Sequence, residues 1–357
     1  MAERLRVGLA GLGRMGRIHA ANLAWRCPSA RLVAVTDADA GVAAAVAAEL
    51  DVPALPSFEA LLSEVDAVAV ATPTGTHADL VTRAARAGRP VFCEKPVSLD
   101  RPATVDTLAA VRAAGVPLQV GFHRRFDPDW AAAAGRIRAG ELGRVRLFRT
   151  SLRDMRSPGP EFLAGSGGLF LDVTIHDLDV ARWLVGEIVE IGAHGAALAD
   201  PGVAEPGDLD TALVTVRFES GALGVIDNSR SAGYGYECST EVVGSAATVR
   251  IDNPPRHHYR WLTPGQASSP TVADFEQRYP DAYAAELESF ARAVLAGVPP
   301  AVTGADALAA YDLACAADRA WRTGQTQLLR PVRTADGVDY GGGPPGQAVP
   351  ARPGGMA

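Results

Sequence analysis

The sequence predicts an α/β domain on a doubly wound parallel sheet, followed by an α+β domain on a mainly antiparallel sheet. Three observations carry that expectation. Up to about residue 121, short apolar runs alternate with alanine-rich stretches of helical length. A glycine loop joins the first run to the first such stretch. Beyond Gly121 the apolar runs lengthen and follow one another, with turn signals such as Ser220-Gly221 and Gly244-Ser245 between them.

In the first part, strands are expected at Leu5–Ala10, Leu32–Thr36, Asp66–Ala71, Pro90–Cys93 and Leu118–Gly121, with a weaker one at Val52–Leu55. Helices are expected at Arg14–Arg26, Ala40–Glu49, Ala78–Ala87 and Ala103–Ala114, each ending near Gly, Asp or Pro. Strands joined through helices form a parallel sheet covered on both faces. In the second part, the strand-like runs are Val145–Leu152, Val189–Leu198, Thr211–Phe218, Gly224–Asn228, Cys238–Val243 and Thr248–Ile251. Consecutive hairpins make that sheet antiparallel. Helices follow at Ala282–Leu295 and Gly304–Arg322, with Gly324 just past the last. From about Val332 the chain runs into GGGPPGQAVPARPGG, a composition that cannot bury a core. The expected division is 1–122, 123–330 and a disordered tail over 331–357. No internal repeat is evident.

Composition narrows the function classes. With 357 residues, 48% of them apolar and 21% charged, the chain reads as soluble and globular. A net charge of −7 argues against a nucleic-acid partner. No apolar run approaches the length needed to cross a bilayer, and the N-terminus turns glycine-rich too early for a signal peptide. Cys27, Cys93, Cys238 and Cys315 are scattered, which suits reduced thiols in a cytoplasmic protein. No His, Cys or Asp spacing resembles a metal site, so no metal is expected.

The loop VGLAGLGRMGRIHA holds Gly11-x-Gly13-x-x-Gly16 between a strand and a helix. Gly11 permits a tight turn, Gly13 lets the backbone approach a pyrophosphate, and Gly16 allows close packing of the helix. The second strand ends at Asp37, about 20 residues further on, where a carboxylate accepts hydrogen bonds from an adenosine ribose. Asp39 adds negative charge and no arginine follows, so NAD is expected over NADP. The expected cofactor contacts are Gly11, Gly13, Arg14, Met15, Gly16 and Asp37, with Thr72, Pro73, Glu94 and Lys95 from later strand ends. The competing reading is a glycine-rich turn with a solvated aspartate.

Lys95 is the only lysine, against 33 arginines. It is either a chance survivor of a codon bias or a cation that arginine cannot replace. Its place in VFCEKPVSL decides for the second. It lies just past a strand of the parallel sheet, where open α/β sheets bind ligands, and Pro96 restricts its backbone.

A dehydrogenase also needs a group to take a hydroxyl proton. The segment GSGGLFLDVTIHDLDVARWLVG offers one. If residues 172–185 are helical, Asp172, His176 and Asp179 share one face beside an apolar stripe of Leu171, Ile175, Leu178 and Val185. Histidine suits proton transfer near neutral pH. Spacing alone fits a capping aspartate and a satisfied histidine equally well. His19 and His77 read as packing or capping residues, and His257-His258 as surface.

Taken together, the glycine loop with His19, ATPTGTH, Glu94-Lys95-Pro96 and Asp172-x-x-x-His176 resemble the Gfo/Idh/MocA oxidoreductases from about residue 5 to 325. Within that family VFCEKPVS, LQVGFHRRFD, SGGLFLDVTIHDLDVARWL, YGYECSTEVVG and DFEQRYPDAYAAELESF are most similar to inositol 2-dehydrogenases. The resemblance implies an N-terminal Rossmann domain, then a domain whose broad sheet builds a homodimer or homotetramer. It implies NAD-dependent oxidation of a ring hydroxyl of a cyclic polyol, myo-inositol first. By position, Lys95, Asp172 and His176 match the catalytic set, with either His176 or Lys95 as proton acceptor. Lys95, Asp172 and His176 also touch substrate in that set, and Arg124, Asp179, Asp154 and Tyr236 match residues that bind substrate hydroxyls. Where the family often has Arg-Asp-Pro, this chain has Arg153-Asp154-Met155. The alternatives are a scyllo-inositol or monosaccharide dehydrogenase, or an NAD-binding regulator without turnover. A regulator would need Asp37 and the glycines but not Lys95, Asp172 and His176.

Overall fold

The first apolar run forms β1 (Leu5–Ala10), and all but one of its six residues are buried, as a central parallel strand requires. The structure is a computed structural model that describes residues 4–203 and 207–341. After β1 come α1 (Arg14–Trp25), β2 (Ala30–Thr36), α2 (Ala40–Leu50), α3 (Phe58–Glu64), β3 (Ala67–Val70), α4 (His77–Arg86), β4 (Val91–Cys93), α5 (Arg101–Ala114) and β5 (Leu118–Val120). The strands pair in parallel in the order β2-β1-β3-β4-β5. The order reverses at β1, so the glycine loop opens at the switch point where such sheets bind ligands. Two local expectations change. Val52–Leu55 contributes a single bridge, Ala54 with Val35, because α3 starts three residues later on the cap of Ser57. That helix packs on β1 at Gly8, where a Cβ would lie 2.7 Å from Leu61 Cδ1.

The chain continues through α6 (Pro128–Arg138), β6 (Leu147–Arg153), α7 (Pro160–Ser166) and a π-helical turn over Phe170–Thr174 that runs into α8 (Ile175–Val185). Next are β7 (Ile188–Ala196), β8 (Thr211–Phe218), β9 (Leu223–Ser229), β10 (Glu237–Val243) and β11 (Thr248–Ile251). A hairpin of β12 (Trp261–Thr263) and β13 (Gln266–Ser268) precedes α9 (Phe275–Arg278), α10 (Pro280–Ala296) and α11 (Gly304–Thr323). Last come β14 (Gln327–Leu328), β15 (Val332–Thr334) and β16 (Gly337–Asp339). The second sheet has the order β11-β10-β6-β9-β8-β7-β14. It is antiparallel except where β6 enters between β10 and β9 and runs parallel to β9. Along β8, Ala212, Val214, Val216 and Phe218 are buried, while Leu213, Thr215 and Arg217 are exposed. The period of two therefore separates a core face from an open one.

Among the described residues two compact units result: one runs up to residue 128 and takes in 279–308, the other holds 129–278 and the chain from 309 on. The expected split at residue 122 is contiguous; in the structure the chain returns to the first unit at α10. Leu287, Phe290 and Ala291 of α10 join the core around Leu9 and Phe92. Glu288 accepts hydrogen bonds from the backbone N–H (2.9 Å) and hydroxyl (2.7 Å) of Ser29. An amphipathic pattern shows that a helix buries one face, not which unit receives it.

The expectation of a disordered tail from residue 331 is corrected over residues 332–340. Val332–Thr334 pairs with Gly337–Asp339 across a two-residue turn. Tyr340 is buried, its hydroxyl donating to Glu187 at 2.5 Å and accepting from the Ile188 N–H at 3.1 Å. One anchored tyrosine thus holds a hairpin that composition alone does not reveal. Residues 342–357 of that tail lie outside the described residues. The four cysteines are free, and burial pushes the thiols of Cys27 and Cys315 up to about 12 and about 11. No described helix is long and apolar enough to cross a membrane.

Candidate active site

In the first unit, the glycine loop is held by backbone contacts that leave no choice of residue at two positions. Gly11 has φ +90, and a Cβ there would lie 2.6 Å from the backbone of Ala71 and Thr72. A Cβ on Gly16 would lie 2.0 Å from the Gly11 carbonyl oxygen, so this glycine packs the helix against the loop itself. Gly13 differs: nothing lies within 4 Å of its virtual Cβ, and it is the N-cap of α1 with no side-chain cap. The backbone at the start of α1 therefore carries no bulk at Gly13 that would keep an anion from approaching it. Asp37, half-buried at the end of β2, accepts from the Leu12 N–H at 2.7 Å and the Asp39 N–H at 2.9 Å. Asp39 caps α2 through the N–H groups of Gly41 and Val42. These groups fit a dinucleotide: an open glycine at a helix start and a carboxylate at the second strand end.

The loops beyond β3 and β4 are locked by two histidines that the sequence reads as packing or capping. His77 is buried, with Nδ1 2.8 Å from the Pro96 carbonyl and Nε2 2.7 Å from the Thr72 carbonyl. It clamps the Thr72-Pro73 loop to the Glu94-Lys95-Pro96 loop. His19 is fully buried on α1, and its Nε2 lies 2.6 Å from Glu94 Oε1. The other carboxylate oxygen of Glu94 accepts from the Lys95 backbone N–H at 3.3 Å. Glu94, expected as a cofactor contact, thus spends its side chain seating the lysine next to it. Burial alone would raise the Glu94 carboxyl. The hydrogen bond from His19 and the charges of His19, Lys95 and His77 outweigh burial and hold it below the usual carboxylate range. Lys95 itself is half-buried, and the peptide to Pro96 is cis. Arg124 is buried on the 3₁₀ turn His123–Phe126 of the same unit.

In the second unit, the π turn over Phe170–Thr174 replaces the regular helical start expected at Asp172. It inserts an extra residue into the first turn, so Asp172 and His176 do not follow simple 3.6-residue spacing. Both are half-buried, whereas Asp179 is buried. Asp177, next to His176, is fully buried and accepts from Asn228 Nδ2 at 2.7 Å and Thr150 Oγ1 at 3.3 Å. Asn228 Oδ1 in turn accepts from Thr174 Oγ1 at 2.7 Å. This network pins the start of α8 to β6 and β9, which sets where His176 projects. Asp172 accepts from Nη1 of Arg230 at 2.9 Å, and Nη2 of Arg230 lies 3.9 Å from Asp208 Oδ2. The Arg230 guanidinium is fully buried. Asp154 is half-buried and exchanges backbone hydrogen bonds with Ser229 and Ala232. Tyr236 is buried, and its main chain is tied to Val272 and Asn253.

Comparison with known proteins adds the family. Residues 5–122 match the oxidoreductase family with an NAD-binding Rossmann fold, and residues 130–250 match the GFO/IDH/MocA C-terminal domain. The chain belongs to the GFO/IDH/MocA oxidoreductases. It is 38% identical to the scyllo-inositol 2-dehydrogenase (NAD(+)) of Bacillus subtilis, over 95% of this chain and 100% of the relative. It is 41% identical to the inositol 2-dehydrogenase of Rhizobium meliloti, over 88% of this chain and 96% of the relative. Among solved structures it resembles scyllo-inositol dehydrogenase from Lactobacillus casei with bound NAD(H) and scyllo-inositol. That match has a TM-score of 0.86 and 30% identity, covering 91% of this chain and 99% of the other.

As a GFO/IDH/MocA oxidoreductase the protein is an NAD-dependent enzyme. Within the first unit the structure brings Gly11, Gly13, Gly16, Asp37, Thr72, Pro73, Glu94 and Lys95 to the strand ends of one sheet. Within the second it places Asp172 and His176 on consecutive turns. Three buried polar residues have neighbours that sequence reasoning does not reveal. Arg230 in DNSRS carries no motif, and only its burial against Asp172 and Asp208 singles it out. Glu286 lies in AYAAELESF and is fully buried, with no hydrogen-bond partner for its carboxylate oxygens among the described residues. His19 carries a signal in hindsight: a polar residue on the buried face of an alanine-rich helix needs a partner.

Proposed function

We propose that the protein oxidises one ring hydroxyl of a cyclic polyol, with myo-inositol and its 2-keto product as the first pair. The observation that supports this most is the occurrence of Lys95, Asp172 and His176 in a chain that aligns with inositol 2-dehydrogenases over nearly its whole length. Scyllo-inositol is the second reading, favoured by the Bacillus subtilis relative. NAD supplies the hydride acceptor. Gly13 and the start of α1 hold its pyrophosphate, and Asp37 holds its adenosine ribose.

The residues divide the proton work. His176 takes the hydroxyl proton as general base, and Asp172, fixed by Arg230, balances the charge that forms. Lys95 donates a hydrogen bond to the same oxygen and stabilises its developing negative charge. Arg124, Asp154, Asp179 and Tyr236 are the proposed ligands of the remaining hydroxyls. The open face of the second sheet, which exposes Leu213 and Leu223 among polar residues, is the surface we assign to self-association.

The test is a steady-state panel on purified protein. Myo-inositol should exceed glucose and xylose in kcat/KM by at least about tenfold, because a site built for ring hydroxyls rejects substrates that leave its polar groups unpaired. NAD should exceed NADP by at least about 10²-fold, since Asp37 meets the extra phosphate with like charge. Asp37→Ala should narrow that gap. A preference for an aldose would remove the polyol assignment, and a preference for NADP would remove the role given to Asp37.

A further inference from the structure

Behind Lys95, in the same unit, lies a cluster that the proposed mechanism does not use. His19 from α1, Glu94 from the β4 loop and Glu286 from α10 each turn a ligand-type atom to within 4.8 Å of the others, and all three are buried. Glu286 is 0% exposed. Aromatic rings close the surroundings: Phe92 and Tyr283 pack on His19, and His123 packs on Tyr279 and Tyr283. The charged and titratable groups acting on the cluster are Lys95 and His77 on Glu94, and Tyr279 and Arg124 on Tyr283, which itself faces both carboxyls.

We propose that Glu286 is a positioning residue for Lys95 that works as a neutral carboxylic acid, its proton held inside the His19–Glu94–Glu286 cluster that seats the lysine backbone. This rests on the catalytic role proposed for Lys95. The geometry leaves little alternative. Two ionised carboxylates less than 4.8 Å apart, both out of water, repel each other strongly, and Glu94 already carries its charge against His19. Burial and then the charge of Glu94 push the Glu286 carboxyl well above its ordinary range. The same atoms do not make a metal centre as they stand. The 2.6 Å His19–Glu94 contact is a hydrogen bond, and ligation would require it to open and Glu286 to lose its proton. A neutral acid fills the space behind Glu94 without adding a second charge, so Glu94 stays a single anion anchored on His19 and on the Lys95 N–H.

Two variants and two readouts test this. Folding raises the Glu286 pKa, so above the ordinary carboxylate range the folded chain keeps a proton that the unfolded chain has released. The stability this proton gives is complete below the unfolded pKa and is lost as pH rises towards the folded one. Glu286→Gln keeps the shape and removes that dependence. The difference in Tm, variant minus wild type, should therefore grow by about 2–4 °C or more between about pH 5 and pH 8. This readout needs no substrate and stands whether or not the polyol assignment holds. In the second readout, Glu286→Ala should lower kcat by about 10–10²-fold with NAD still bound, because the Lys95 loop loses its backing. Glu286→Gln should restore kcat to within about threefold of wild type, the mark of a neutral isostere. Three results would overturn the proposal: a Tm difference that is flat or shrinks with pH, a Gln variant as slow as the Ala variant, or a stoichiometric metal ion in the purified wild type that Glu286→Gln loses.

Discussion

Replacing Lys95 by arginine is expected to lower kcat by about 10²–10⁴-fold while the protein still folds and binds NAD. The chain uses arginine for every other basic side chain, so arginine is tolerated wherever only charge is needed. At residue 95 the backbone is set by Glu94, by the His77 clamp on the Pro96 carbonyl, and by buried neighbours on both sides. A guanidinium there is wider than an ammonium, cannot give up its proton to act as a base, and presents a planar fork of donors in place of a compact point charge. Measuring NAD binding by fluorescence and turnover on the same preparation separates lost chemistry from lost folding. Near wild-type kcat would mean that the lone lysine has no catalytic part.

Arg230→Ala is expected to destabilise the protein by about 3–5 kcal/mol, the usual cost of removing one partner from a buried ion pair. The fully buried guanidinium faces Asp172 at 2.9 Å and Asp208 at 3.9 Å, and its loss leaves two largely buried carboxylates facing a void. Arg230→Lys should fall between the two, because an ammonium keeps the charge but not the fork that reaches both aspartates. Urea denaturation followed by circular dichroism reads the effect. A loss under about 1 kcal/mol for the alanine variant would show that Asp172 is held by something else.

What the sequence made legible follows from how each signal is encoded. Parallel strands buried on both faces are plain apolar runs, so Val7, Val68 and Val91 announce the first sheet. The glycine loop is local, and its steric demands are met within one βαβ unit. The order of the second sheet is less legible. Each strand alternates as expected, but nothing local says that β6 enters between β9 and β10. The π turn at Phe170–Thr174 is hidden because one inserted residue leaves the helical composition intact. The buried polar partners are the least visible of all. Glu286 meets His19 and Glu94, and Arg230 meets Asp172, across separations that no spacing rule spans, and each is an ordinary charged letter until its burial is known. His77 falls in ATPTGTH, yet its part as a clamp between two strand-end loops depends on carbonyls at residues 72 and 96.

The claim at the centre of this account is hydride transfer from a ring carbon of an inositol to NAD. It is tested most directly with myo-inositol deuterated at C2, incubated with NAD and purified protein, and mass analysis of both products. The account expects the deuterium in the reduced cofactor, the 2-keto product free of label, and turnover slower than with unlabelled substrate. Deuterium retained in the polyol product or released to water would contradict it.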